Sequence, residues 1–242
     1  MQHATMRKPA HAVAASACSG CPMLDRCFLA SPLPHEESDC ADAVRRRYPI
    51  APGDKVYRRN APFSSLFQVC TGSVKTQRET PDGGLVVTGF FLPGDIVGVD
   101  AIGDSRHPSD AIAITPTEVC QLDFESLLAH CASVPGLHNW VITQIGFYVR
   151  RKDTDLSWST GLSTHQRVLR FFLDLHERLT REAASSPLAL PMRKQDIARY
   201  LHMTPETFSR NLAQLRRDGL LHLDNDRFVL PDAARARQMT QL

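Results

Sequence analysis

The residues best placed to do chemistry are cysteines. There are seven: Cys18, Cys21, Cys27, Cys40, Cys70, Cys120 and Cys131. Three fall in the run Cys18-Ser-Gly-Cys21-Pro-Met-Leu-Asp-Arg-Cys27, a C-x2-C-x5-C spacing. Thiolates two residues apart reach one metal centre when the chain turns between them, and Ser19, Gly20 and Pro22 are residue types that turns use. A third thiolate five residues on wraps the same centre, and a fourth must come from distant sequence. The odd count, with no secretory signal, argues against a disulfide framework. Spacing by itself leaves zinc and iron–sulfur both open. Zinc sites usually pair C-x2-C units or add histidines, and His35 is the one histidine shortly downstream.

A second set of residues lies near the other end. Thr204-Pro205-Glu206 has an N-cap, a proline suited to the first helical position and an acid at the positive helix end. The helix it starts ends before Asp218-Gly219, where glycine takes a left-handed cap. At about 100° per residue, Phe208, Leu212 and Leu215 fall within about 60° of one another and face a core. Glu206, Arg210 and Arg217 point nearly opposite, with Ser209 on the flank. An exposed Glu, Ser and Arg stripe can read a DNA major groove. Arginine bonds the O6 and N7 of guanine, glutamate accepts from a cytosine amino group, and serine bonds a base or phosphate. Residues 193–242 hold nine Lys/Arg against six Asp/Glu, a net of +3 that suits phosphate contact.

Elements must position both sets. A helix over about Lys194–Leu201 precedes the reading helix, with His202-Met203 as the turn. Two short runs flank Asp224-Asn225-Asp226, a hairpin signal. Helix-turn-helix plus hairpin is a winged helix, from whose wing Arg227 reaches the DNA backbone. Residues 164–180 form an amphipathic helix. Further upstream, Leu137, Val141, Ile145, Tyr148, Lys152 and Leu156 recur at three-to-four spacing, the narrow seam of a helix paired with its own copy. Residues 65–70, 72–76, 85–92, 111–115 and 119–122 read as short strands broken by Pro/Gly turns, a β-roll or jelly roll. The predicted organisation is α+β: an irregular Cys-rich lobe (1–40), a β-roll sensor domain (41–130), a long dimerisation helix (131–160) and a C-terminal winged helix-turn-helix (161–242).

Composition fits this plan. With 242 residues, 43% hydrophobic, and a net charge of +2, the chain can bury a core and is neither disordered nor collagenous. No apolar run has the roughly 18 residues of a membrane span, and Ala12–Ala15 is too short for a signal-peptide core. A soluble, cytoplasmic protein is expected, with no membrane partner. A metal oxygenase on a cupin-like roll would need clustered histidines, but His107 and His130 stand apart, so no enzyme is expected.

With these motifs in view, the sequence resembles the CRP/FNR family of bacterial transcription regulators, in its FNR branch, over roughly residues 18–235. Leu92-Pro-Gly-Asp-Ile-Val-Gly-Val-Asp-Ala-Ile102 is similar to that branch's β-roll signature, in a roll of the cyclic-nucleotide-binding type. Thr204-Pro-Glu-Thr-Phe-Ser-Arg210 is similar to the family's recognition helix, whose E-x-x-S-R pattern falls on Glu206, Ser209 and Arg210. The resemblance implies a homodimer on a palindromic TTGAT-type site, contact with RNA polymerase through loops such as 81–84, and activation under anaerobic conditions. It also implies an oxygen-labile [4Fe–4S] cluster on Cys18, Cys21, Cys27 and an internal cysteine. That fourth ligand is Cys120, at the last strand before Gln121-Leu-Asp-Phe124; Cys131 is the rival, while Cys40 and Cys70 match no ligand position. The cyclic-nucleotide branch needs an adjacent Arg-Ser pair, whereas here Arg106 and Ser109 are separated, which argues against nucleotide binding. A structural zinc or another effector is the alternative to the cluster. Two departures bear on tuning. Pro22 follows the middle thiol and affects how readily oxygen reaches the centre, and Lys152 stands where an acid is expected in the dimer helix.

Overall fold

Strand alternation decides the N-terminal half of the chain. The computed structural model describes residues 21–23, 27, 44–132, 135–180 and 187–240. It divides into two compact units, Met1–Thr76 with Phe90–Tyr148, and Gln77–Gly89 with Val149–Leu242. Eight strands build the roll: β1 (Val44–Ile50), β2 (Lys55–Tyr57), β3 (Ser65–Thr71), β4 (Val74–Glu79), β5 (Leu85–Phe91), β6 (Ile96–Val97), β7 (Asp110–Ala113) and β8 (Thr117–Asp123). They form two four-stranded sheets, ordered β1-β8-β3-β6 and β2-β7-β4-β5. Where β3 turns into β4, Gly72 has φ +77°, and a Cβ there would meet the Pro116 carbonyl at 2.3 Å. Only glycine fits that close approach.

Because side chains alternate along β3 and β8, these strands serve two cores. Phe67, Val69 and Val119 join Ile50, Val74, Phe91 and Val97 in a cluster drawn from both sheets. Leu66, Cys70, Cys120 and Leu122 point the other way, into a second cluster with Met23 and Cys27. That second cluster is closed by Leu127 of α1 (Phe124–Cys131) and by Leu137 and Val141 of α2 (Pro135–Gly161). Asp123 caps α1, accepting from the Ser126 amide at 2.8 Å. Cys131 is the last residue of α1.

The C-terminal elements are α3 (Thr164–Thr180), β9 (Leu188–Ala189), α4 (Lys194–Tyr200), α5 (Pro205–Arg217), β10 (His222–Asp224), β11 (Arg227–Val229) and α6 (Ala233–Met239). Val168, Leu169, Phe172 and Leu175 of α3 recur at helical spacing and are buried. They pack in a core that includes Ile197, Phe208, Leu215 and Phe228, and the Phe172 and Phe228 rings meet edge-on at 5.2 Å. The hairpin gains a third strand, in the order β10-β11-β9. The architecture is a β-roll, a long helix and a winged helix-turn-helix. No helix among the described residues is long and apolar enough to cross a membrane.

Candidate functional site

Cys18 and Cys40 lie outside the described residues. The other five cysteines are free thiols, with Cys27, Cys70 and Cys120 buried, Cys21 and Cys131 half-buried. Cys120 sits on β8 opposite Gln68 of β3. The Cys27 thiol donates to Gln68 Oε1 at 3.3 Å. Cys27, Cys70 and Cys120 share one apolar cluster, and Cys21 and Cys131 pack against it. A chain separation of 41 residues between Cys27 and Gln68 is thus closed by folding. Arg47 of β1 pairs with Glu118 at 3.3 Å, and its guanidinium stands near the Cys21 thiol. Burial, the largest cause, pushes the Cys70 thiol well above an ordinary cysteine, and nearby Cys21 and Cys120 push it the same way. Burial also raises Cys131.

Among the described residues no three His, Cys, Asp or Glu side chains come close enough to hold one metal ion. A cubane cluster sets its thiolates further apart than a single ion does. The chemistry of the donors fits that larger group: soft thiols converging in an apolar surround, with Cys18 three residues before Cys21.

Inside the roll, Arg106 and Ser109 serve other ends. Arg106 Nη1 donates to the Asn60 carbonyl at 2.7 Å, and Ser109 is buried. His107 stands between them in sequence, stacked on Tyr57 with ring centroids 3.6 Å apart. Its burial pushes the imidazole down to about 4.

The structure divides the seam read along α2. Leu137 and Val141 are buried in the roll's own thiol-bearing cluster, and Tyr148 packs against it. Lys152 is half-buried and donates to the Thr88 carbonyl of β5. Ile145 and Leu156 are exposed, at 37% and 63%, and so are Ile142 and Val149 at 55% and 59%. The solvent-facing apolar stripe is therefore Ile142, Ile145, Val149 and Leu156. Ile142 and Val149 were missed from sequence, although 142, 145, 149, 152 and 156 follow a strict three-four alternation that signals a pairing helix.

The exposed stripe of α5 stands as its spacing requires. Thr204 accepts from the Thr207 amide at 3.2 Å, and Pro205 opens the helix. Phe208 and Leu215 are buried and Leu212 is half-buried, while Glu206, Ser209, Arg210 and Arg217 are exposed. The Glu206 backbone amide, then the Thr204 hydroxyl, hold the Glu206 carboxyl below the usual carboxylate range. Arg210 Nη2 donates to Thr207 Oγ1 at 3.2 Å, and Arg217 Nη2 to Gln214 Oε1 at 2.5 Å. Each is a neighbour on the same helix, so neither guanidinium is committed to the core. Gly219 follows α5 with φ +68°. On the wing, Arg227 is exposed and donates to the Pro187 carbonyl at 3.1 Å. Asn225 at the hairpin tip has φ +49°.

The comparisons with known proteins match this geometry. A model of the Crp-like helix-turn-helix domain fits residues 166–239, which carry the whole α4–α5 pair and the wing. A model of the cyclic nucleotide-binding domain fits residues 48–133, the roll. The chain belongs to the CRP/FNR family of transcription regulators. It is a DNA-binding regulator rather than an enzyme. This regulator is 29% identical over 226 residues to the transcriptional regulatory protein btr of Bordetella pertussis, covering 93% of each chain. It is 28% identical over 205 residues to the fumarate and nitrate reduction regulatory protein of Escherichia coli K12, covering 84% of this chain and 82% of that one. Among solved structures, FixK2 from Bradyrhizobium japonicum is similar, with a TM-score of 0.72 and 25% identity over 81% of this chain and 97% of that one.

Proposed function

We propose that the regulator is an oxygen sensor of the FNR type, whose thiol pocket holds a [4Fe–4S] cluster and thereby favours a DNA-binding homodimer. One observation carries this reading: Cys27 and Cys120 lie in the same apolar cluster as Leu137 and Val141 of α2, with Cys21 packed against it. Whatever tightens the thiols also loads the helix that carries the exposed stripe.

Cys18, Cys21, Cys27 and Cys120 would hold the group, with Cys131 at the end of α1 as the rival fourth ligand. Bound there, it supplies an inorganic centre that survives only without oxygen. The rest is done by the chain. Cys21 and Cys27 tie the N-terminal lobe to β3 and β8, and Met23 fills the apolar wall beside them. Leu137 and Val141 pass that order to α2, whose Ile142, Ile145, Val149 and Leu156 meet the same residues of a second copy. Lys152 flanks this stripe. Two copies then present two α5 helices to a palindromic TTGAT-type site, about one DNA turn apart. Glu206, Ser209 and Arg210 read base edges; Thr204, Arg217 and Arg227 contact backbone. The exposed turn at 81–84 is offered to RNA polymerase. Arg106 is engaged by the chain itself, and the region is read as holding no cyclic nucleotide.

Metal and sulfide analysis of anaerobically purified protein tests this. About four irons and four sulfides per chain are expected, with loss of both in air and a shift from dimer toward monomer. Zinc in their place, or an oligomeric state indifferent to air, overturns the reading.

A further inference from the structure

Unlike the arginines of α5, one polar pair beside the reading helix is turned inward. Tyr200, the last residue of α4, donates its hydroxyl proton to Asp155 Oδ1 of α2 at 2.5 Å, across 45 residues of chain. Both side chains are half-buried. Burial pushes the Tyr200 phenol well above its ordinary range, so it stays a donor. Burial also raises the Asp155 carboxyl, while the Tyr200 hydroxyl, Arg151 and Lys152 pull it back down. The Tyr200 ring meets Phe171 of α3 edge-on at 5.9 Å, and Arg167 of α3 donates to the Leu201 carbonyl at 3.1 Å. Toward α2 the packing is open: a cavity of about 340 Å³ lies there, lined in part by Lys152, Asp155, Trp158, Arg167, Tyr200 and His202. What holds α4 also holds α5. The Met203 amide bonds the Ala198 carbonyl at 3.0 Å across their turn, and Ile197, Ala198, Leu201 and Phe208 are buried. Asp155 directly precedes Leu156, a member of the exposed α2 stripe. One hydrogen bond therefore runs from the reading pair to the turn of α2 that carries the stripe. Hydrogen bonds are directional, and one to a carboxylate is among the stronger kinds, so this one can fix an angle that packing beside a cavity does not.

We propose that Tyr200 and Asp155 are positioning residues for DNA recognition: their hydrogen bond fixes α4 and α5 on the turn of α2 that carries Leu156, and so sets the half-site spacing that a dimer accepts. The homodimer and palindrome of the proposed function underlie this role; the cluster does not. In a dimer joined through α2, the separation of the two α5 helices depends on how each is held to its own α2. Moving a half-site by one base pair displaces it by about 3.4 Å along the DNA axis and turns it by about 35°. An α5 that follows must swing away from α2, and the Tyr200–Asp155 bond resists that swing. Tyr200 and Asp155 therefore govern which spacing is bound, and leave the choice of bases to Glu206, Ser209 and Arg210.

The test uses the full chain, purified without oxygen, and the palindrome that the wild type selects from random DNA. Binding is measured to that site, to the same site with its spacer one base pair longer or shorter, and to the site with one half-site base replaced. The wild type should prefer the selected spacing. Tyr200→Phe removes one oxygen and keeps the ring against Phe171. It should lose about tenfold of the spacing preference, the weight of one hydrogen bond to a charged acceptor. Its discrimination against the replaced base should stay that of the wild type. Asp155→Asn keeps an acceptor oxygen for the hydroxyl and should retain the spacing preference. Asp155→Leu removes the acceptor and should lose it, which decides the matter should Tyr200→Phe fail to fold. An unchanged spacing preference in Tyr200→Phe overturns the proposal. So does an equal loss on every DNA, the mark of a merely structural role. If the wild type selects no palindrome or ignores the spacer, the palindrome reading falls and this role falls with it. If the wild type discriminates and Tyr200→Phe does so equally, this role alone falls.

Discussion

The thiol pocket and α5, the second helix of the helix-turn-helix, are built in opposite ways. Every working group of α5 is exposed and held by neighbours within one helix, as Thr204 holds Thr207 and Arg210 contacts Thr207. The working groups of the pocket are buried and drawn from three segments, the lobe around residues 21–27, β3 and β8. A surface that reads DNA must leave its donors and acceptors unspent, so local contacts suffice to orient it. A pocket of thiols must exclude water, so its residues are also core residues. On the proposed function, changes in the two regions should therefore fail differently: stability and sensing are lost together in the roll, whereas recognition can be lost alone in the winged helix.

The largest contrast lies along α2 itself. Leu137→Ala should cost about 2–5 kcal/mol in denaturant unfolding, because Leu137 is fully buried in the thiol-bearing cluster. Leu156→Ala, at 63% exposure, should leave unfolding within about 0.5 kcal/mol while weakening self-association seen by ultracentrifugation. Equal effects on stability would erase the division of the seam. Arg210→Ala should cost about 1–3 kcal/mol in binding and relax preference at one base pair of the site. Equal loss on unrelated DNA would move Arg210 to a phosphate role.

Acid should separate the regions next. His107 sits at about 4 in the folded roll, against 6.5 for the ordinary side chain. Between these values the unfolded chain binds a proton that the folded chain refuses. The roll therefore has its full stability above about pH 6.5 and loses about 1–2 kcal/mol as the pH falls toward 4, after allowance for solvent screening. Thermal unfolding of His107→Gln should lack that slope. The smallest effect is expected at the helix start: Thr204→Ala should cost about 1 kcal/mol of stability by removing the acceptor for the Thr207 amide. A free energy unchanged within error would remove the cap from the account.

What the sequence yielded follows the same divide. Helical spacing alone oriented Phe208 and Leu215 inward and Glu206 and Arg210 outward, and the bounds of α3 were legible at Thr164 and Thr180. The C-x2-C-x5-C run raised metal chemistry as an expectation, from residue type and spacing. Along α2 the same method drew one seam through residues that serve two surfaces, since Leu137 and Ile145 both recur at helical spacing and only the neighbouring roll covers the first. Arg47, Gln68 and Cys70 were not found as members of the pocket. Nothing local distinguishes a glutamine on a strand that meets Cys27 from one that does not.

By itself, then, the order of amino acids pointed to the long helix, the helix-turn-helix and five strands of the roll, to the polar face of α5 and to thiols gathered near residue 18, because each depends on contacts a few residues apart. Only the tertiary structure decided which thiols share a core and which half of α2 is spent on the roll. Those outcomes depend on strand register and on packing between segments about 40 to 100 residues apart, where a one-residue slip would turn every side chain to the other face.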